Sequence, residues 1–218
     1  MRTDDMRAQR ARLAETIDGQ LGPFDPAHLR ALVEVPRERF VRHDDAARAA
    51  DDTPLPLDDV GLATISAPHA YLLSFRLLDL ASGDRLVELG SGSGYGAALA
   101  AYIVGPRGSV ITIEIDGRLA EWAALTLAQH SNVAVLHADA VTAIAAMADA
   151  EKIVVTFAVS AIPEMWLDAI PEGGCLVAPV GSRDRDQRLV RVRRTAGALV
   201  RTEHGAVRYV PNRSPRVN

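Results

Sequence analysis

A chain of 218 residues, 48% of them hydrophobic, can bury one sizeable core and reads as a single domain over residues 1–218. A formal net charge of −4 argues against nucleic-acid binding through general phosphate attraction, and a single cysteine, Cys175, rules out an internal disulfide or a cysteine-built metal cage. The polar start "MRTDDMRAQRARLAETIDGQ" is unlike a signal peptide and "YGAALAAYIV" is far too short for a membrane span, so a cytoplasmic monomer with no membrane partner is expected.

Residues 1–50 read as a helical segment. Met6, Leu13, Ile17 and Leu21 fall along one stripe of a first helix. In "FDPAHLRALVEVP", Asp25 is placed to cap a second helix, with Pro26 in its first turn and Pro36 as a stop. From Asp51 to Ala67, "DDTPLPLDDVGLATISA" is rich in proline, aspartate and glycine and has no period. It predicts a loop, and long loops in compact domains are often functional, so residues 51–69 form the candidate substrate loop.

Residues 70–218 carry the remaining pattern. After a helix over 71–80, the runs "RLVEL", "SVITIE", "VAVLH", "IVVTF" and "CLVAPV" read as buried strands that alternate with helices near 94–104, 117–129, 140–148 and 161–169. Such alternation predicts an α/β fold with a mostly parallel, doubly wound sheet. The tail "QRLVRVRRTAGALVRTEHGAVRYV" alternates in character and suits antiparallel strands at the sheet edge.

The segment "RLVELGSGSGYG", Arg85 to Gly96, joins the first core strand to a helix, where a glycine turn lets a ligand approach the backbone. A dinucleotide fingerprint fits poorly: counted from Gly90 its third glycine position falls on Tyr95, and counted from Gly92 it falls on Ala97, two residues late. Neither a P-loop nor a nucleophile elbow is present. Glu88, just before the glycines, would repel a pyrophosphate and suit a cation, and Glu114 at the end of "VITIE" is placed to accept hydrogen bonds from both hydroxyls of a ribose. Asp116 reads as a helix cap. An acid, a glycine loop and a second acid together describe a nucleoside with a cationic amino-acid arm, S-adenosylmethionine.

Taken with "VPRERFV" (35–41), "TPLPL" (53–57), "ATISAPH" (63–69), "PEGGCLVAPVG" (171–181) and "VRYVP" (207–211), the glycine segment resembles the protein-L-isoaspartate O-methyltransferase family over nearly the whole chain. The resemblance implies a Rossmann-like methyltransferase sheet ending in an antiparallel hairpin. It also implies S-adenosylmethionine bound by Glu88, Gly90, Gly92, Gly94, Glu114 and Asp139, the last of these on the adenine amino group. Ser66 would stand beside the substrate carboxylate, with Thr64, Ile65, Pro68, Val210 and Pro211 around the peptide. The expected substrate is the misplaced α-carboxylate of an isoaspartyl residue, whose ester cyclises to a succinimide. Departures from the family's usual text are Ala140 after Asp139, Glu151 and Lys152 at the fourth strand, and Phe157, Val159 and Ser160 where small residues are usual. They leave two other readings: a tailoring enzyme esterifying an aspartate of one precursor peptide, and a nucleoside-binding module without turnover.

The chemistry asks little of acids and bases. A peptide carboxylate with a pKa of roughly 3.3–3.9 is already an anion at neutral pH, so positioning rather than proton removal is needed, and Ser66 is the residue chosen to hold it. His69, at a helix entry with no acid nearby in its local sequence, reads as a surface or cap residue, and His137 as a core or rim residue. The six histidines show no paired metal-ligand spacing, so no metal is expected.

Overall fold

Apolar residues at helical and then two-residue spacing build a layered α/β fold in the computed structural model, which describes residues 3–182 and 186–214. Two helices open the chain: α1 (Thr3–Leu21) and α2 (Pro26–Glu34), the second capped by Asp25, whose carboxylate accepts the Ala27 N–H at 2.7 Å. The segment read as a loop contains a small hairpin, in which β1 (Leu55–Pro56) pairs with β2 (Thr64–Ile65), and α3 (Pro68–Leu78) starts earlier than expected because Pro68 occupies its first turn.

The central sheet and its helices follow in order: β3 (Arg85–Leu89), α4 (Tyr95–Val104), β4 (Ser109–Glu114), α5 (Gly117–Leu127), β5 (Val133–His137), β6 (Lys152–Val155), α6 (Glu164–Asp168) and β7 (Cys175–Val180). The hairpin β8 (Gln187–Thr195) and β9 (Ala198–Val207) completes it. The sheet order is β5-β4-β3-β6-β7-β8-β9, with the first five strands parallel and the last two antiparallel, as the tail's alternation predicts. Among the described residues, no helix is long and apolar enough to cross a membrane.

Two predicted helices are shorter than their alanine content suggests. Over 140–148 only a 3-10 turn forms, at Ile144–Met147, because Asp139 diverts the chain first: its carboxylate takes the Val141 N–H at 2.9 Å and its carbonyl takes the Thr142 hydroxyl at 3.0 Å. Over 161–169 the helix begins only at Glu164, since Pro163 stands at the cap rather than inside.

Apolar cores lie on both faces of the sheet, and strand parity decides which residue serves which. In β3, Leu86 joins the core beneath α3 and α4, while Val87 and Leu89 join the core on the opposite face with Met147, Trp166 and Ile170. Glu88 shares the Leu86 side. The parallel strands all deliver their C-terminal ends to one edge, where the loops converge.

Candidate active site

At that edge a cleft of about 780 Å³, open mouth included, lies among the ends of β3, β4, β5 and β6. Its floor is Gly90, Ser91, Gly92 and Ser93, and its walls include Glu114, Asp139, Thr156 and Phe157. Two segments distant in sequence roof it: residues 62–66 of the long loop, and residues 210–214, which return from β9. Of the residues singled out from the sequence, Thr64, Ile65, Ser66, Gly90, Gly92, Glu114, Asp139, Val210 and Pro211 meet in this one cleft.

The floor is built for a bare backbone. Gly90 has φ +98°, and a Cβ there would stand 2.3 Å from Thr156 Oγ1, while that hydroxyl donates to the Gly90 carbonyl at 2.6 Å. Glu114, almost fully buried, ties the floor to the end of β4: Oε2 accepts the Gly92 N–H at 2.9 Å and Oε1 accepts the Asp116 N–H at 3.0 Å. Burial pushes its carboxyl above the ordinary value despite those bonds. Asp116 caps α5 as expected, accepting the Arg118 N–H at 2.9 Å.

The returning segment is fastened at three points. Ala158 N–H donates to the Val210 carbonyl at 2.8 Å, Arg213 pairs with Asp116 at 2.8 Å, and the Ser214 hydroxyl donates to Asp139 Oδ2 at 2.7 Å. Sequence reasoning missed Arg213 and Ser214, whose partners are respectively 97 and 75 residues away. It also missed Ser93, whose hydroxyl is buried at the cleft without a hydrogen-bond partner among the described residues.

Three of the expected ligand residues do not line the cleft. Gly94 caps α4 at φ +93° and is glycine because a Cβ would press on Leu127 at 2.8 Å. Pro68 is buried in the first turn of α3. Glu88, by the parity of β3, turns under α4, where a Cβ on Gly96 would lie 2.0 Å from its Oε1. Its other oxygen accepts the Thr112 hydroxyl at 2.6 Å, and Thr112 stands 2.6 Å from Ser91 Oγ, so Glu88 reaches the cleft floor through two hydroxyls.

Burial pushes the Glu88 carboxyl up to about 8; the Thr112 hydrogen bond opposes this and the nearby Glu114 adds to it. Because the folded-state value lies above the ordinary 4.5, this contribution to stability is full below pH 4.5 and is lost progressively as pH rises from there through about 8. Glu88→Gln keeps an acceptor for Thr112 and should flatten this decline. Urea midpoints at pH 6 and pH 9 check it: equal pH sensitivity in the two proteins would mean that Glu88 does not titrate in this window.

His69 has the acidic partner that its local sequence lacks. Asp52, 17 residues earlier, accepts both the His69 backbone N–H and Nδ1 at 3.0 Å, so it caps α3 and fixes the ring. His69 lies outside the cleft lining.

Residues 23–216 match the family model for protein-L-isoaspartate(D-aspartate) O-methyltransferase. The chain belongs to this family. A protein-L-isoaspartate O-methyltransferase of Methanothermobacter thermautotrophicus is 40% identical over 185 residues, covering 84% of each chain. One from Archaeoglobus fulgidus is 38% identical over 210 residues, covering 95% of this chain and 94% of its own. Among solved structures, a Plasmodium falciparum β-aspartate methyltransferase in complex with S-adenosyl-L-homocysteine superposes with a TM-score of 0.80 over 93% of this chain and 97% of its own, at 23% identity, and shares the fold.

Proposed function

We propose that this methyltransferase moves the methyl group of S-adenosylmethionine to the α-carboxylate of isoaspartyl residues in peptides and proteins, forming an ester that closes to a succinimide. The observation that carries the reading is the meeting of Ser66, Glu114 and Asp139, three residues from separate segments, in one cleft. The cleft also suits a nucleoside with an amino-acid arm: its floor has no side chain at Gly90 or Gly92, and its walls carry the carboxylates of Glu114 and Asp139.

When bound, S-adenosylmethionine supplies an electrophilic methyl group on a positively charged sulfur. Glu114 would accept the ribose hydroxyls, Asp139 the adenine amino group, and the backbone at Gly90 and Gly92 would lie along the amino-acid arm. Glu88 supports that floor from below through Thr112 and Ser91, rather than by direct contact. Ser66 donates its hydroxyl to the substrate carboxylate, while Thr64, Ile65, Val210 and Pro211 frame the peptide. No general base is required, because the nucleophile is already an anion. What the residues supply is an approach of roughly 3–3.5 Å with water excluded.

The altered segment after β6 bears on substrate breadth. Val159 is buried in the core, bonded through its N–H to the Pro179 carbonyl at 3.0 Å, and Phe157 packs edge-on against Trp166, whose indole donates to the Ala140 carbonyl beside Asp139. Of the three changed residues after β6, only Phe157 lines the cleft, against Trp166 and Gly90, and so limited a change supports a broad isoaspartyl specificity over a dedicated precursor. The buried, lone Cys175 suits a reducing cytoplasm.

The test uses matched peptides that differ only in aspartyl or isoaspartyl linkage, with mass spectrometry for the methyl ester or succinimide. Several unrelated isoaspartyl peptides should be modified and their aspartyl partners left untouched. Modification of one aspartyl peptide alone, with every isoaspartyl peptide silent, would replace this reading with the tailoring one.

A further inference from the structure

Arg37 is a charged side chain that no step above uses. It follows α2 in a 3-10 turn and is 1% exposed. Its Nη1 donates to the carbonyls of Ala49 and Asp51 at 3.1 and 3.0 Å, and its Nη2 to those of Thr53 and Ser66 at 2.8 and 3.0 Å. Four acceptors spread over residues 49–66 are thus gathered on one guanidinium, whose rigid fork suits diverging carbonyls in a way a single ammonium does not. One of the four belongs to Ser66 itself, and the Ser66 N–H is held in turn by the Tyr71 hydroxyl at 3.2 Å.

The charge is as informative as the bonds. Among the described residues, no carboxylate pairs with Arg37 within 4.0 Å; its direct partners are neutral carbonyls and the face of Tyr95, 5.9 Å from ring centroid to guanidinium carbon, while Asp52 and Asp51 act on it only from farther off. Burying an unpaired cation is costly, and neutral donors would suffice if carbonyl bonding were the whole purpose. When substrate binds, an anion comes to Ser66, the residue whose carbonyl this cation holds from behind the cleft lining.

We propose that Arg37 is a positioning residue for the substrate carboxylate: it places Ser66 through the backbone and supplies the buried positive charge that draws the anion to it. The inference rests on the isoaspartyl methyltransferase reading. Its consequence is specific, since the carboxylate loses its negative charge as its oxygen bonds the methyl group. A fixed cation nearby therefore favours the bound substrate over both the transition state and the neutral ester. The charge acts in substrate binding and in discrimination against product, and the hydrogen-bond fork acts in orientation.

Two variants separate these parts. Arg37→Met, without the charge or the fork, should raise KM for an isoaspartyl peptide roughly 3- to 30-fold, the range expected for a partly screened charge pair of about 0.7–2 kcal/mol, and should lower kcat less than Arg37→Lys does, because losing the charge eases the step that losing the fork slows. Arg37→Lys keeps the charge and loses the fork, so KM should stay near wild type while kcat falls. Cofactor affinity, measured by calorimetry, should be unchanged in both. If Arg37→Met does not fold, Arg37→Lys alone still decides the matter by its split between kcat and KM. Wild-type kcat and KM in Arg37→Lys, or equal losses in cofactor and peptide binding, would overturn the inference. Inactivity of the wild-type protein on isoaspartyl peptides would instead overturn the functional reading; amide exchange over residues 49–66, faster in Arg37→Lys with cofactor affinity intact, would still establish the clamp, and unchanged exchange would overturn it.

Discussion

Glu114→Ala should weaken S-adenosylmethionine binding by roughly 100-fold or more. The carboxylate is nearly buried and already accepts the N–H groups of Gly92 and Asp116, so its removal leaves two backbone donors without partners besides deleting the proposed acceptor for the ribose. A hydrogen bond to a charged group contributes about 1.5–3 kcal/mol, which is about 10- to 150-fold for one bond, and two effects act here together. Glu114→Gln retains one acceptor oxygen and should fall between the alanine variant and the wild type. Calorimetric titration with S-adenosylmethionine and its demethylated product measures both. An affinity unchanged in Glu114→Ala would remove the residue from the nucleoside site and leave it as an anchor of the glycine floor.

Ser66→Ala should lower the methylation rate on an isoaspartyl peptide by roughly 10- to 150-fold, with cofactor affinity nearly intact. The backbone of this residue is held independently of its hydroxyl, by Arg37 on the carbonyl and Tyr71 on the N–H, so the loop should keep its path in the variant. What the proposed role would lose is one charge-assisted bond to the reacting carboxylate, and with it the alignment that the reaction depends on. Single-turnover kinetics with pre-bound cofactor reads that loss directly. A wild-type rate would reduce Ser66 to a turn residue, and a matching loss of cofactor affinity would show that the hydroxyl shapes the cleft as a whole.

Strands and their order of appearance were legible because each is a local run of β-branched residues, and the parallel sheet follows from their alternation with helices. The same locality made Gly90, Gly92, Glu114, Asp139 and Ser66 legible, since each stands within a few residues of a strand end or in a distinctive short motif. The extent of the helices near residues 140 and 161 was not, because Asp139 and Pro163 each redirect the backbone through a single local contact that composition does not weigh. Chemical type and neighbourhood along the chain were therefore readable in advance.

Direction and distant partnership were not. Glu88 precedes the glycines by two positions and carries the right charge for a cationic ligand, yet the two-residue period of its strand turns it beneath α4, against Gly96, instead of into the cleft. Asp52 and His69, Ser214 and Asp139, and Arg37 and Ser66 are 17, 75 and 29 residues apart respectively, and nothing in the text between them encodes the contact. The sequence by itself determined the fold class, the family and the chemical types that meet at the strand ends. The tertiary structure alone decided which face each side chain takes and which remote segments close over the cleft, because those follow from packing between elements and not from the order of residues within one.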